Sequence, residues 1–369
     1  MTKSMRFVAS VVVVAAACAS ASAAELRGLD QKGTPDLKSA GPMAFGPEGV
    51  LFIGDPQGAA IFAIDTAEKA PSSTIGPIKV AQIDKKIASL LGATADQILI
   101  NDLAVNPRTG TAYLSVSRGR GPDAAPVIVR VSQQGKLSAM ELDDVRYAKA
   151  PLPNAPDANA KDQRGNSKRQ ESITDLAYVD GKVVVAGLSN EEFASNLRTI
   201  PFPFSEADAG TSVEIFHGSH GRLETHAPVR TFVSYTVNDE PTLLAAYTCT
   251  PLVKLPLVDL KPGKKVRGTT VAELGNHNRP LDIVVYEKGG KEYLLIANNA
   301  RGVMKIDAAQ LGDADGINTP VADKAGVGYE TVEGLKGVQQ LDKLNGEQVV
   351  ILVQASPGAV IDLESVALP

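Results

Sequence analysis

An all-β fold, a β-propeller of six blades, is what the sequence predicts, and three features carry that prediction. A unit of strand, polar turn, strand, loop and third strand recurs along the whole chain. Helical periodicity is scarce, and residues Ile83 to Leu91 form the best candidate for a short connecting helix. The loops after the second strands fall near residues 55, 117, 189, 249, 299 and 356. Intervals of roughly 50 to 70 residues fit four-stranded blades carrying insertions.

The units can be followed in order. The first is Gly41-Pro-Met-Ala-Phe, Gly49-Val-Leu-Phe-Ile-Gly and Ala60-Ile-Phe-Ala-Ile-Asp65. The second runs Asn101-Asp-Leu-Ala-Val-Asn-Pro, Thr111-Ala-Tyr-Leu-Ser-Val and Pro126-Val-Ile-Val-Arg-Val131. In the third, Ile173-Thr-Asp-Leu-Ala-Tyr-Val and Lys182-Val-Val-Val-Ala-Gly precede an insertion, and Ser212-Val-Glu-Ile-Phe216 is read as the third strand. The fourth, over Thr231 to Leu255, is weaker; the fifth, Pro280 to Asp307, is the clearest; the last covers Gly337 to Leu363. A β-sandwich does not predict this repeated order. A seventh, weak blade would have to lie in Pro71 to Gln97. Two insertions are expected, one near 151–172 and one near 190–210, the second carrying the apolar group Ile200-Pro-Phe-Pro-Phe204.

The N-terminus reads as a secretory signal peptide over residues 1–24, ahead of a single domain over 25–369. Lys3 and Arg6 precede an apolar run from Phe7 to Ala17, and small residues follow at Ser20 to Ala24. That run is about half of the ~20 residues a spanning helix needs, so no membrane span is expected. The expected location is therefore extracytoplasmic, periplasmic or secreted. The alternative is a lipoprotein with Cys18 as acceptor, although Ala15-Ala16-Ala17 ahead of it lack a large aliphatic. Cleavage after Ala23 or Ala24 removes Cys18 and leaves Cys249, so the fold must hold without an internal disulfide. The net charge of −5 argues against a nucleic-acid surface, and the absence of Trp argues against the Trp-dependent propeller families.

Chemistry is sought where strand order brings polar residues together. In a four-stranded blade, the loop from second to third strand and the loop between blades open on one face. On this reasoning His226, Cys249 and His277 either converge near the axis as donors suited to zinc or copper, or Cys249 is a small buried residue and the histidines hydrogen-bond backbone. His217 and His220 are instead assigned to the opposite end or the rim, on a plain hairpin turn. Asp102, Asp175 and Asp282 occupy equivalent first-strand positions, so the three carboxylates ring the channel. There they either ligate a hard cation such as calcium or manganese or accept hydrogen bonds from neighbouring blades. Asn101, Arg279, Asn298, Asn299 and Arg301 are candidates for binding a carboxylate or polyol on the same face. Arg118, Arg120, Glu191 and Ser356 are further residues of that face, and Ser356 with His277 is the one dispersed catalytic pair considered.

These segments resemble the blades of the NHL and gluconolactonase-like propeller superfamily, across nearly the whole mature chain. The resemblance implies a divalent metal in the channel and hydrolysis of a lactone. Asn101-Asp102 is similar to the family's Asn-Asp segment, and Asp175 and Asp282 resemble further ligand positions. Where the family has Glu before Gly-Pro, this chain has Ala40 before Gly41-Pro42, so one ligand is missing. Three functions follow in order. The first is a metal-assisted hydrolase of a small polar substrate, with Asp175, Asp282 and His277 doing the chemistry. The second is a noncatalytic propeller binding a small polar molecule or a protein. The third is a redox or metal-handling protein using Cys249 and histidine.

Overall fold

The computed structural model describes residues 28–68 and 74–369. The signal segment 1–24, Cys18 and the first residues of the stretch weighed as a seventh blade lie outside the described residues. Six small, mainly antiparallel sheets stand in a ring, the arrangement of a six-bladed β-propeller.

Numbered in chain order and from the axis outward, blade 1 comprises Met43–Phe45, Val50–Asp55, Ala60–Asp65 and Val145–Pro151, edged by Gln31–Gly33. Blade 2 comprises Ile98–Val105, Ala112–Arg118, Ala125–Val131 and Leu137–Ala139. Blade 3 comprises Asp175–Val179, Lys182–Leu188, Ser195–Pro201 and Thr211–His217, edged by Arg222–Glu224 and Lys265–Arg267. Blade 4 comprises Thr231–Val237, Glu240–Ala246, Pro251–Pro256, Thr269–Leu274 and Lys324–Gly326. Blade 5 comprises Pro280–Lys288, Lys291–Asn298, Gly302–Asp307 and Glu330–Thr331. Blade 6 comprises Val338–Lys343, Gln348–Gln354, Ile361–Ala367 and, outermost, Lys79–Val80.

The second and third strands are buried on both faces because each blade is sandwiched between two neighbours. Val50–Asp55 has no exposed position at all. Runs such as Leu294-Leu-Ile-Ala297, all solvent-excluded, are the sequence consequence. Each of the six blade-to-blade seams has its own apolar cluster: that between blades 1 and 3 contains Phe52, Val185 and Phe202, and that between blades 4 and 5 contains Leu244, Ile296 and Met304.

Blade order around the ring is not chain order. Neighbouring inner strands give the circuit 6, 2, 1, 3, 4, 5 and back to 6. Blade 1 thus sits between blades 2 and 3, and its fourth strand, Val145–Pro151, is supplied only after blade 2 is complete. Blade 6 is closed by Lys79–Val80, paired in register Val80 to Leu363 and Lys79 to Glu364. Two blades are therefore finished by distant segments, which ties the chain's beginning to both its middle and its end.

The seventh-blade alternative falls away among the described residues, and the reading of blade 3 changes. Residues 79–97 contribute that outer strand and the helix Ile83–Leu90, so no seventh sheet arises among the described residues. The segment expected as an insertion near 190–210 contains the third strand of blade 3, Ser195–Pro201, and Thr211–His217 is the fourth. Alternation fails there because Asn196 and Arg198 are as buried as Leu197. The apolar group packs into the seam of blades 1 and 3: Phe202 lies 5.0 Å edge-on to Phe52 and 5.3 Å from Phe204.

Candidate functional site

The ring of inner-strand carboxylates forms, with one addition. Asp102 Oδ2 accepts a hydrogen bond from Met43 N of blade 1 at 2.7 Å. Asp175 Oδ2 accepts from Phe232 N of blade 4 at 2.7 Å, and its Oδ1 from Leu176 N at 2.8 Å. Asp282 Oδ2 accepts from Leu341 N of blade 6 at 2.9 Å. Asp342, which the sequence reading missed, reaches Val105 N of blade 2 at 2.7 Å. The four bonds to Met43, Phe232, Leu341 and Val105 each run from one blade to the next around the circuit. The equivalent position of blade 6 is Gln340, whose amide, turned so that its nitrogen faces the acids, donates to Asp282 Oδ2 at 2.9 Å and Asp102 Oδ1 at 3.1 Å. Asp342 lies two residues further along the same strand face, which hid it from a search at equivalent positions.

Burial dominates the electrostatics of this ring. It raises Asp175 to about 7 and Asp342 to about 6, with the backbone donors opposing. Asp102 and Asp282 are raised well above the ordinary carboxylate value, again first by burial, and mutual repulsion among the carboxylates adds to it. A channel cation held by Asp102, Asp175 and Asp282 needs their oxygens to converge on one point. Here each carboxylate has an oxygen committed to a neighbouring blade's backbone, and the three form no common ligand group among the described residues. The residues present do not fit that metal.

Above the ring the axis widens into a cavity of about 880 Å³. Its wall is built from the loops that precede inner strands and follow second strands, the face on which sequence reasoning placed the site. The expected insertion at 151–172 supplies one side, including Lys161, Arg169 and Glu171. Arg120, Arg230 and Arg279 complete a charged lining of five cations and one carboxylate. Arg230 is fixed by a two-pronged bond to Glu171, at 2.8 and 3.0 Å. Arg120 donates to the carbonyls of Asp96 and Ile98. The Arg279 side chain has no hydrogen-bond partner among the described residues, although its backbone N donates to Asn299 Oδ1 at 2.7 Å. Desolvation in the mouth and the nearby Arg230 charge lower its pKa, with Glu171 opposing. Arg169 Nε is shut from solvent without a partner, whereas Arg279 is exposed. Arg279 thus faces the cavity with unused donors, while Arg169 lines it with one buried, unsatisfied nitrogen.

The other sequence candidates divide cleanly. Asn101 lines the cavity, with its amide donating to Ala40 O and Ser117 Oγ. Asn298 is buried and accepts from Ala300 N and Arg301 N, so it shapes the turn. Arg301 donates to Asn276 O, while Asn299 acts on the site only by holding Arg279. His226, Cys249 and His277 do not come together as a ligand group among the described residues. His226 instead pairs with Thr225, and Cys249 and His277 sit in left-handed turn conformations, φ 62° and 56°.

No protein-family model matches the chain, and no curated protein matches it. Solved structures similar to the chain include a PQQ-bound aldose sugar dehydrogenase from Streptomyces coelicolor (11% identity, 92% of this chain and 97% of the other, TM-score 0.32). A protein from Thermus thermophilus assigned as a glucose dehydrogenase gives 13% identity, 91% and 99% coverage, and TM-score 0.34. The virginiamycin B lyase of Staphylococcus aureus gives 10%, 92%, 99% and 0.28. At these scores the likenesses carry no functional argument for this chain.

Proposed function

We propose that this chain is an exported binding propeller whose axial cavity captures a small polar molecule bearing carboxylate or phosphate groups. The observation that carries this is the unpaired guanidinium of Arg279 at the cavity mouth, near Arg230, in a lining that also holds Arg120, Lys161 and Arg169. A planar donor fork without a protein partner is matched by a carboxylate or phosphate, which can accept two parallel bonds. The wall is rigid where it matters, since Arg230 is already oriented by Glu171. Metal-assisted hydrolysis of a lactone-like substrate ranks below capture, because Asp175 and Asp282 are engaged as ties between blades. Export is proposed from Lys3, Arg6 and the apolar run that follows.

Calorimetric titration with citrate and inorganic phosphate, and with glucose as a neutral control, tests the reading. Anions should bind, glucose should not, and Arg279→Ala should weaken anion binding by about tenfold or more. Equal binding of glucose, or an Arg279→Ala variant with unchanged affinity, would overturn it.

A further inference from the structure

At the outer rim between blades 3 and 4, the hairpin joining Thr211–His217 to Arg222–Glu224 gathers a second set of side chains. Sequence reasoning had set this hairpin at the wrong end or the rim. Counting Ser195–Pro201 as the third strand reverses the direction of the next one. His217 therefore ends an outer strand that rises toward the cavity-bearing end of the ring.

Among the described residues, His217, His220 and Glu224 are the one group of three such donors lying within 4.8 Å of one another. Glu224 Oε2 lies 2.9 Å from His217 Nδ1, and its Oε1 lies 2.7 Å from His220 Nδ1. The two imidazoles are 3.9 Å apart, centre to centre. Strand pairing fixes the frame, with His217 opposite Arg222 and Ile215 opposite Glu224. Gly221, at φ 64°, makes the intervening turn.

A second, independent feature concerns the far side of the His217 ring. Its side chain is 2% exposed, yet Nε2 is buried without a hydrogen-bond partner. Nε2 faces Glu273 Oε2 of blade 4 at 4.0 Å. Glu273 is itself held in place by Gly218 N and Ser219 Oγ. If Nδ1 carries the proton and donates to Glu224, Nε2 is a bare acceptor confronting a carboxylate. A cation on Nδ1 reverses the tautomer, leaving Nε2–H aimed at Glu273. That is the carboxylate–histidine–metal relay of many zinc sites.

We propose that His217 Nδ1, His220 Nδ1 and Glu224 bind a divalent cation of the zinc class, with Glu273 orienting His217 from behind. Two imidazoles and a carboxylate suit zinc over calcium or magnesium. Ligand bonds of about 2.0–2.2 Å require donor separations near 3.3 Å. The present hydrogen-bond distances reach that by a small outward shift of the Glu224 carboxylate, next to Arg222 and the solvent-facing His220. Three protein donors leave a coordination position for water on the His220 side.

The test is titration of zinc chloride into the full mature chain after chelator treatment, with competition by a chromophoric chelator as an independent readout. One equivalent should bind. His220→Ala and Glu224→Gln should each weaken it by at least about tenfold, while Arg279→Ala, at the axial cavity, should leave it unchanged. His220 is partly exposed, so its variant should fold, as circular dichroism would verify. No zinc binding by the native chain, or affinity unmoved in both hairpin variants, would overturn the proposal and leave a hydrogen-bonded imidazole pair. Neither result depends on anion capture at the axis.

Discussion

Raising pH from 5 to 8 should destabilise this protein, and the inner-strand carboxylates give the size of the effect. Burial lifts Asp175 from an ordinary 3.8 to about 7 and Asp342 to about 6. A carboxyl whose pKa is higher when folded binds more protons in the folded state. Its stabilising contribution is complete below the unfolded value and is lost as pH rises through the folded one. Between pH 5 and 8, Asp175 crosses about two units of that window and Asp342 about one. At about 1.4 kcal/mol per unit, the pair removes about 4 kcal/mol, less whatever relaxation and water entry recover on ionisation. Asp102 and Asp282 are raised further and add in the same direction. Glu224 does not interfere: burial raises it, but hydrogen bonds from His217 and His220 outweigh that and bring it to about 2. It stays ionised throughout this window. Urea unfolding at pH 5, 6, 7 and 8 measures the trend, and Asp175→Asn should flatten it. Equal or greater stability at pH 8 would refute the reasoning, by showing that the backbone donors outweigh desolvation.

Three further outcomes follow from close contacts and charge. Gly187→Ala should destabilise severely, by about 3 kcal/mol or more, because the added Cβ would overlap the Ser172 carbonyl; thermal melting checks it. Phe202→Ala should cost about 3–5 kcal/mol in denaturant unfolding, since the ring is locked between Phe52 and Phe204 in the seam of blades 1 and 3. Anion affinity at the axial cavity should fall as sodium chloride rises from 50 to about 500 mM, because the lining cations are reachable by solvent ions; salt-independent affinity would point to apolar capture instead.

The fold was legible because doubly buried strands write themselves as short apolar runs. Leu294-Leu-Ile-Ala297 and Val183-Val-Val-Ala186 could be aligned without knowing their neighbours. Blade order was not legible, since nothing in residues 60–98 says that Lys79–Val80 closes the last blade rather than the first. Ser195–Pro201 escaped because buried Arg198 and Asn196 stand where a strand search expects apolar side chains. That omission assigned the His217 hairpin to the opposite end or the rim; it lies at the rim, on the cavity-bearing end. Asp102, Asp175 and Asp282 were found by equivalence, whereas Asp342 sits one level deeper and had no counterpart to flag it. The cation-rich mouth was visible only in part. Arg279 was singled out, but Arg169 and Glu171 lay in a segment whose composition read as loop.

The carboxylate ring and the cavity above it are mechanically one object. Asp102 holds Met43 N, and Met43 directly follows the Gly41-Pro42 segment that forms part of the cavity floor. Asn101, next to Asp102, holds Ala40 O of that same segment. On the opposite side, Asp175 fixes Phe232 N, two residues from Arg230. Removing any of these acids would therefore cost more than a hydrogen bond in the channel. It would loosen the wall that keeps the arginines at their separation, and a charge-recognition site depends on that separation being held before the ligand arrives. The buried acids are costly to ionise, and the reason to keep them is positional. They lock successive inner strands in register at the level where the cavity begins.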